Sequence, residues 1–234
     1  MGGQGSRDGT FSGRREVAIG LGLYAVYLFV RSAVVNDEGR AQARRNAERI
    51  VAFERRLRIH VEPELQRLLL PRTGLIAVLN VAYAVANVGL TVGWLMRLFF
   101  RRSPEFPRLR RAAVLATLGA HPVFLLFPTA PPRTLDHFVD TIAEVSGFDL
   151  DSGLIAKLYD PIAAMPSIHV AYAVVTATGM AETSRSPLVR RLAPAYPPLV
   201  TLTVLVTANH YVLDAVAGAA LGFTGLRLAR QPAR

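Results

Sequence analysis

The chain has 234 residues, 51% of them hydrophobic, and a formal charge of +10 carried almost wholly by arginine, with Lys157 the only lysine. Its mean hydropathy is positive, and its apolar residues gather in nearly uncharged blocks of about 16–22 residues. This pattern excludes an ordinary soluble domain and predicts an all-α, polytopic membrane protein. The arginines fall between the blocks, where the inside bias of positive loops and anionic headgroups explain them better than nucleic acid does, so no nucleic-acid partner is expected. The absence of cysteine excludes disulfides and thiolate metal sites.

Residues 1–15, rich in Gly, Ser and Arg, read as a disordered basic tail ahead of a single membrane domain over 16–230. Val17 to Val35 is the first span, an uncleaved anchor in that no small-residue cleavage site follows it. Segment 36–73 is strongly charged, with nine arginines against Asp37, Glu38, Glu48, Glu54, Glu62 and Glu64. Within it Ala43, Ala47, Ile50 and Leu57 recur near helical spacing. That predicts an amphipathic interfacial helix between spans 1 and 2, lying on the bilayer surface or packed on the domain.

Gly74 to Phe100 is the second span, with Asn80, Tyr83 and Asn87 on one face. Hydrogen bonds between helices account for such polar groups, as does a wet cavity, and Asn87 is a candidate pocket residue. A basic connector from Arg97 to Arg111 leads to the third span, Ala112 to Phe127, whose His121 before Pro122 reads as a packing residue. Residues 128–165 then form a loop of a length uncommon unless it is functional. It opens on the stiff run Pro128-Thr129-Ala130-Pro131-Pro132-Arg133, well suited to hold a guanidinium fork over a phosphate, and then turns acidic through Asp136, Asp140, Glu144, Asp149, Asp151 and Asp160. Asp140 is a second candidate for the pocket.

Pro166 to Ala181 is the fourth span; the fifth follows Pro194, Pro197 and Pro198 and ends near Asn209; Tyr211 to Leu228 is the sixth. Gly218 and Gly222, four apart on the sixth, offer a small-residue face for close helix contact. A six-helix bundle puts both termini on one side. Charge makes that side cytoplasmic, with the acidic loop on the outer face of the plasma (inner) membrane. Arg133, Ser167, His169 and His210 then share the outer ends of their spans.

The chemistry gathers in two stretches, Met165-Pro166-Ser167-Ile168-His169 and Asn209-His210-Tyr211-Val212-Leu213-Asp214. Pro166 suits a first helical turn, and the N–H groups of Ser167, Ile168 and His169 at a positive helix end make an anion site. His210 and Asp214, four apart, share a helix face, so a carboxylate on one ring nitrogen leaves the other to attack or to take a proton. Asn209 and Tyr211 flank that histidine as further pocket candidates. Two histidines, a carboxylate and an anion cradle point to phosphoryl transfer, and the spacing offers no metal site.

Pro166-Ser167-Ile168-His169 resembles the Pro-Ser-Xaa-His motif of the type 2 phosphatidic acid phosphatase superfamily, and His210 with Asp214 resembles its final His-Xaa3-Asp motif. Phe127 to Arg133, the Ala-Met-Pro-Ser-Ile-His stretch and Ala208-Asn209-His210-Tyr211 resemble more closely its inositol phosphorylceramide synthase-like branch. The resemblance implies His210 as nucleophile, Asp214 as its orienting carboxylate, His169 as general acid and base, and Ser167 with Arg133 as phosphate holders. It implies no metal and no organic cofactor. Val204, six residues before His210, stands where the superfamily has an arginine, and the lysine-plus-arginine first motif is not present in full. The implied function is a lipid phosphatase acting on a membrane lipid with a phosphate headgroup. The alternative is a phosphotransferase passing the headgroup to an alcohol or polyol acceptor. A transporter or an inactive scaffold is the rival class, without inverted repeats in its favour.

Overall fold

The computed structural model describes residues 11–147 and 162–231. Asp149, Asp151, Lys157, Asp160 and most of the expected tail therefore lie outside the described residues. Within them the fold is all-helical, with one isolated bridge between Thr129 and Ala163. The first helix, α1 (Gly13–Val34), begins inside the segment expected to be tail.

The charged segment forms two helices, α2 (Asp37–Leu57) and α3 (Glu62–Leu69). Asn36 caps α2 by accepting the Gly39 N–H at 2.8 Å, and Arg58 ends it in the left-handed region at φ 59°. The apolar stripe of α2 is buried against protein: Ala43, Ala47, Ile50 and Val51 pack on Ala130, Leu135, Phe138, Ile162 and Tyr211. Alanines at 43 and 47 bring the backbones close enough for the Ala130 N–H to reach the Ala43 carbonyl at 3.2 Å. Phe53, Leu57, Val61 and Leu68 remain exposed along the edge of the same segment. Of the two readings of this segment, packing on the domain describes its main apolar face.

The expected second span is broken. α4 (Thr73–Val81) passes through a π-helical turn, Ala82–Ala86, into α5 (Asn87–Phe100), with a 47° bend between the halves. A π turn widens the helix by one residue and releases a carbonyl from the regular ladder, and such turns recur at functional sites. After α6 (Phe106–Leu126), the Pro-rich segment makes a single 3-10 turn and a short helix, α7 (Thr141–Ser146). Then come α8 (Ile168–Thr183), α9 (Pro187–Leu192), α10 (Tyr196–Val206) and α11 (Val212–Ala229).

Among the described residues three helices, α1, α6 and α11, are long and apolar enough to cross a membrane, and the bent pair α4–α5 makes a fourth if counted as one span. α8 has 16 residues and α10 has 11, so they rise only about 24 Å and 17 Å, less than a hydrocarbon core of about 30 Å. α8 is lined on all sides by α5, α6, α10 and α11, so little of it needs to meet lipid. Its closest neighbour is α11, through the glycines singled out in the sequence. A Cβ at Gly218 would lie 2.2 Å from the Ser167 carbonyl oxygen, and one at Gly222 would lie 2.7 Å from that of Ala171.

The helices sort their connections to two ends. At one, Phe11 packs on Phe99 and Phe106, Arg110 pairs with Glu16, Arg108 with Glu182, and Arg111 donates to the Gln231 carbonyl at 3.0 Å. The basic connectors and the start of α1 thus lie together with the end of α11. At the other end lie α2, α3, the Pro-rich segment, Ser167 and His210, joined by bonds such as Asn46 to the Pro128 carbonyl at 2.8 Å and Gln66 to the Val139 carbonyl at 2.9 Å.

Candidate active site

His169 sits in the first turn of α8 and His210 in the turn between α10 and α11. Their ring centroids are 5.7 Å apart. Both rings line one cavity of about 450 Å³, walled by Tyr83, Thr117, His121, Tyr172 and, from α1, Tyr24 and Tyr27. The wall from α1 carries a half-exposed Tyr24, so the cavity approaches the outer face of the helix bundle there.

His210 precedes its helix instead of riding on it. α11 begins at Val212, and Tyr211 is the residue before it. Asp214, in the first turn, accepts the Tyr211 N–H at 2.9 Å through the same oxygen that lies 3.4 Å from His210 Nδ1. The nearer partner of Nδ1 is the Ala164 carbonyl at 2.8 Å. A carbonyl only accepts, so Nδ1 carries the proton, and Nε2 has the lone pair. Nε2 is buried and has no hydrogen-bond partner among the described residues. The turn that presents it is held open by Ala208, which adopts φ 52°, a conformation costing about 1–2 kcal/mol for a residue with a Cβ.

Tyr83 stacks over His169 at 4.4 Å between centroids, and the His169 ring hydrogen-bonds the Tyr83 backbone. Tyr83 stands in the π turn, so the break in the second span supplies a partner for the histidine. Asn87, one residue past that turn, donates to the His169 carbonyl at 2.9 Å and accepts from the Tyr196 hydroxyl at 2.7 Å. Asn87 lines a smaller cavity of about 100 Å³ on the far side of His169, and not the larger one. Asn80 bonds the Thr141 carbonyl at 2.7 Å and holds α7 in place, as the interhelix reading of that face predicts.

Pro166 lies outside α8, and Ser167 caps it: the hydroxyl accepts the Val170 N–H at 3.4 Å. The Ser167 N–H donates to the Asp214 carbonyl at 2.9 Å. Ser167 thus fastens the start of α8 to the start of α11, and its own N–H is spent on that contact. Arg133 is almost wholly buried, with its side chain 1% exposed, and its Nη1 pairs with Asp140 at 2.6 Å. Asp140 also caps α7 by accepting from Ile142 and Ala143. The Arg133 N–H reaches the Ala208 carbonyl at 2.8 Å, which ties the Pro-rich segment to the His210 turn. Pro131 lines the large cavity and Arg133 does not.

Asn209 lines the cavity; its amide N–H groups go to Thr207, and its buried Oδ1 has no partner among the described residues. Tyr211 is fully buried with its hydroxyl on the Ala130 carbonyl at 3.1 Å, a packing role and not a lining one. Val204 is buried, and its carbonyl receives the N–H groups of Asn209 and His210. No cation enters the cavity from that position.

Three residues absent from the sequence candidates stand behind the site. Glu54 of α2 accepts the Leu213 N–H at 2.8 Å, Glu62 of α3 accepts the Val212 N–H at 2.7 Å, and His60 Nδ1 lies 3.4 and 3.0 Å from their second oxygens. Their ligand-type atoms fall within 4.8 Å of one another, the only such group among the described residues. One oxygen of each carboxylate is on α11 and the imidazole lies against the others, with Nδ1 hydrogen-bonded to Glu54, while Glu62 Oε2 and His60 Nε2 are buried with no hydrogen-bond partner among the described residues. Only the acids scattered through the net-basic segment 36–73 hinted at it.

The family model described as the PAP2 superfamily matches residues 48–228. No curated protein and no solved structure matches the chain.

Proposed function

This chain belongs to the PAP2 superfamily, a family of phosphatase-type enzymes, and we propose that it is an integral membrane enzyme cleaving a lipid phosphoester through a phosphohistidine. The observation that carries the reading is the pair of imidazoles 5.7 Å apart on one cavity, with His210 Nε2 buried and unpartnered. Reacting atoms in a near-attack arrangement sit about 3–3.5 Å apart, and the cavity of about 450 Å³ that both rings line has room for a phosphoryl group. His210 Nε2 attacks phosphorus, the P–O bond to the lipid alcohol breaks, and His169 gives that oxygen its proton. His169 then takes a proton from the incoming hydroxyl as its oxygen bonds phosphorus and the P–N bond breaks. Ala164 and Asp214 keep Nδ1 protonated and stabilise the charged ring.

The incoming hydroxyl is water in a phosphatase and an alcohol or polyol in a headgroup transferase. The second reading is favoured by Val204 in place of a phosphate-binding arginine and by the likeness of 127–133 and 208–214 to inositol phosphorylceramide synthases. Phosphatidic acid in mixed micelles, offered with and without inositol or glycerol, separates the two. Free phosphate means hydrolysis; a new phosphate ester means transfer. Neither product, with no acid-labile phosphohistidine, would end the proposal.

Six crossings of a plasma (inner) membrane, with the site outside, are supported by the sorting of the basic connectors 97–111 and 185–191 to the end opposite His169 and His210, the arginine-rich segment 36–73 being the exception at the site end. Since the chain has no cysteine, single cysteines report without background. Asp136→Cys, at a side chain 88% exposed at the site end, should label in intact cells, and Ser186→Cys only after permeabilisation. The opposite pattern would turn the active site inward.

Arg133 is proposed to stabilise the phosphate, reaching it as substrate enters or holding the turn below it. Arg133→Lys replaces a planar fork by a point charge, which cannot keep both Asp140 and a phosphate oxygen in register. The expected loss in kcat/KM is about 2–4 kcal/mol, roughly thirty- to a thousand-fold. Wild-type rates in the lysine variant would reduce Arg133 to a buried structural pair.

A further inference from the structure

We propose that Glu54 and Glu62, from the charged connector between the first two membrane segments, are positioning residues of the His210–Asp214 site. The inference rests on the reading above that His210 and Asp214 do the chemistry. It adds residues 150 and 159 positions away in sequence, outside every motif of the site.

A helix begins with N–H groups that have no partner in the helix. At α11 three successive ones are taken by carboxylates. Asp214 accepts from Tyr211 at 2.9 Å, Glu62 from Val212 at 2.7 Å and Glu54 from Leu213 at 2.8 Å. Both glutamate side chains are 0% exposed. A carboxyl oxygen satisfies a helix N-terminal amide that has no partner in the helix, and where the group is ionised the bond is charge-assisted and favoured by the positive helix end. Two such bonds from separate helices, α2 and α3, fix the first turn of α11 in translation and in rotation. That turn carries Asp214, whose one oxygen must serve both Tyr211 and His210. A shift of about 1 Å at a reacting group costs on the order of a hundredfold in rate, so clamping this turn bears directly on the nucleophile. Here the amphipathic segment folds over the site, buries Ala43, Ala47 and Ile50, and delivers two acids to one helix end.

The cluster also has a proton to place. Glu54 faces Glu62 and Asp214 as well as the Tyr211 phenol, while His60 lies against both glutamates with Arg55 and His137 around it. Burial first, and the neighbouring acids after it, push the Glu54 carboxyl up to about 8. Below that pH it is protonated and still accepts the Leu213 N–H through its carbonyl oxygen. Above it a further negative charge appears beside Asp214.

The test uses the full chain in detergent micelles with phosphatidic acid as probe, and compares Glu54→Ala, Glu62→Ala, Glu54→Gln and Glu62→Gln. The alanine variants should lose kcat by roughly ten- to a hundredfold with KM little changed. They should also raise amide exchange across 211–214 selectively, leaving the rest of α11 protected. The glutamine variants, whose amide oxygen still accepts, should recover most of the loss, and Glu54→Gln should remove any step in the pH–rate profile near 8. Alanine variants with wild-type kcat overturn the proposal, even if their exchange rises, since the glutamates would then be plain structural caps. If the alanine variants do not fold, Glu54→Asp and Glu62→Asp, whose shorter side chains withdraw from the α11 amides, take their place, and wild-type kcat in both overturns it. If the wild type turns over no phosphatidic acid, the enzymatic reading fails separately, and unchanged exchange at 211–214 then overturns the positioning role by itself.

Discussion

His210→Ala should abolish turnover on every phosphoester, alkyl or aryl, and leave no phosphohistidine after acid quench. The residue is pinned from one side only. Nδ1 is held by the Ala164 carbonyl at 2.8 Å with Asp214 at 3.4 Å, and Nε2 is left without a partner on the cavity that His169 shares. The imidazole paired with it, His169, is bonded to the Tyr83 backbone under the Tyr83 ring. Removing an attacking group of this kind costs on the order of 10⁵–10⁶ in kcat. A better leaving group does not restore it, since the missing step is formation of the P–N bond. Asp214→Asn should cost less, about 10⁴ in kcat: an amide oxygen still accepts the Tyr211 N–H, but a neutral group no longer stabilises the charged ring. Single-turnover quench of labelled phosphatidic acid measures both. A phosphoryl group trapped on His169, or turnover surviving in His210→Ala, would reverse the roles while leaving the family assignment intact.

What was legible in the sequence follows the range of the forces involved. The apolar blocks located the helices to within a few residues, because burial of a whole face is a property of many side chains at once. The glycine pair on the last helix announced a close helix contact but not its partner; that partner is α8, where a side chain at Gly218 or Gly222 would meet the Ser167 and Ala171 carbonyls. The two histidines and Asp214 stand out in the sequence because their spacing within each motif is local. Helix ends were less legible. Pro166 looked like a first-turn residue, yet the Ser167 hydroxyl caps one position later, and His210 was placed on a helix that starts two residues beyond it. The break at Ala82–Ala86 had no proline to mark it. Side-chain pairings were the least legible: Arg133 with Asp140 hid in a run of acids, and the reach of Glu54 and Glu62 to α11 depends on how an amphipathic segment lies over the bundle.

His169→Ala should separate substrates by their leaving groups. The residue is proposed to protonate the departing alcohol, and an alkoxide leaves poorly without a proton whereas a nitrophenolate leaves readily. Its position suits that work: the ring is held by the Tyr83 backbone, its centroid is 5.7 Å from that of His210, and the Asn87 amide fixes the local backbone through the His169 carbonyl at 2.9 Å. Loss of a general acid costs about 10²–10⁴-fold, so phosphatidic acid turnover should fall by that amount. With a nitrophenyl phosphoester the same variant should recover a large part of its rate for the first step, seen as a burst of nitrophenolate. Resolution of the intermediate should remain slow, because the incoming hydroxyl has lost its base, and phosphohistidine should therefore accumulate in His169→Ala to a level not reached in the wild type. Equal losses on alkyl and aryl substrates, with no build-up of the intermediate, would show that His169 binds phosphate or shapes the cavity without moving a proton.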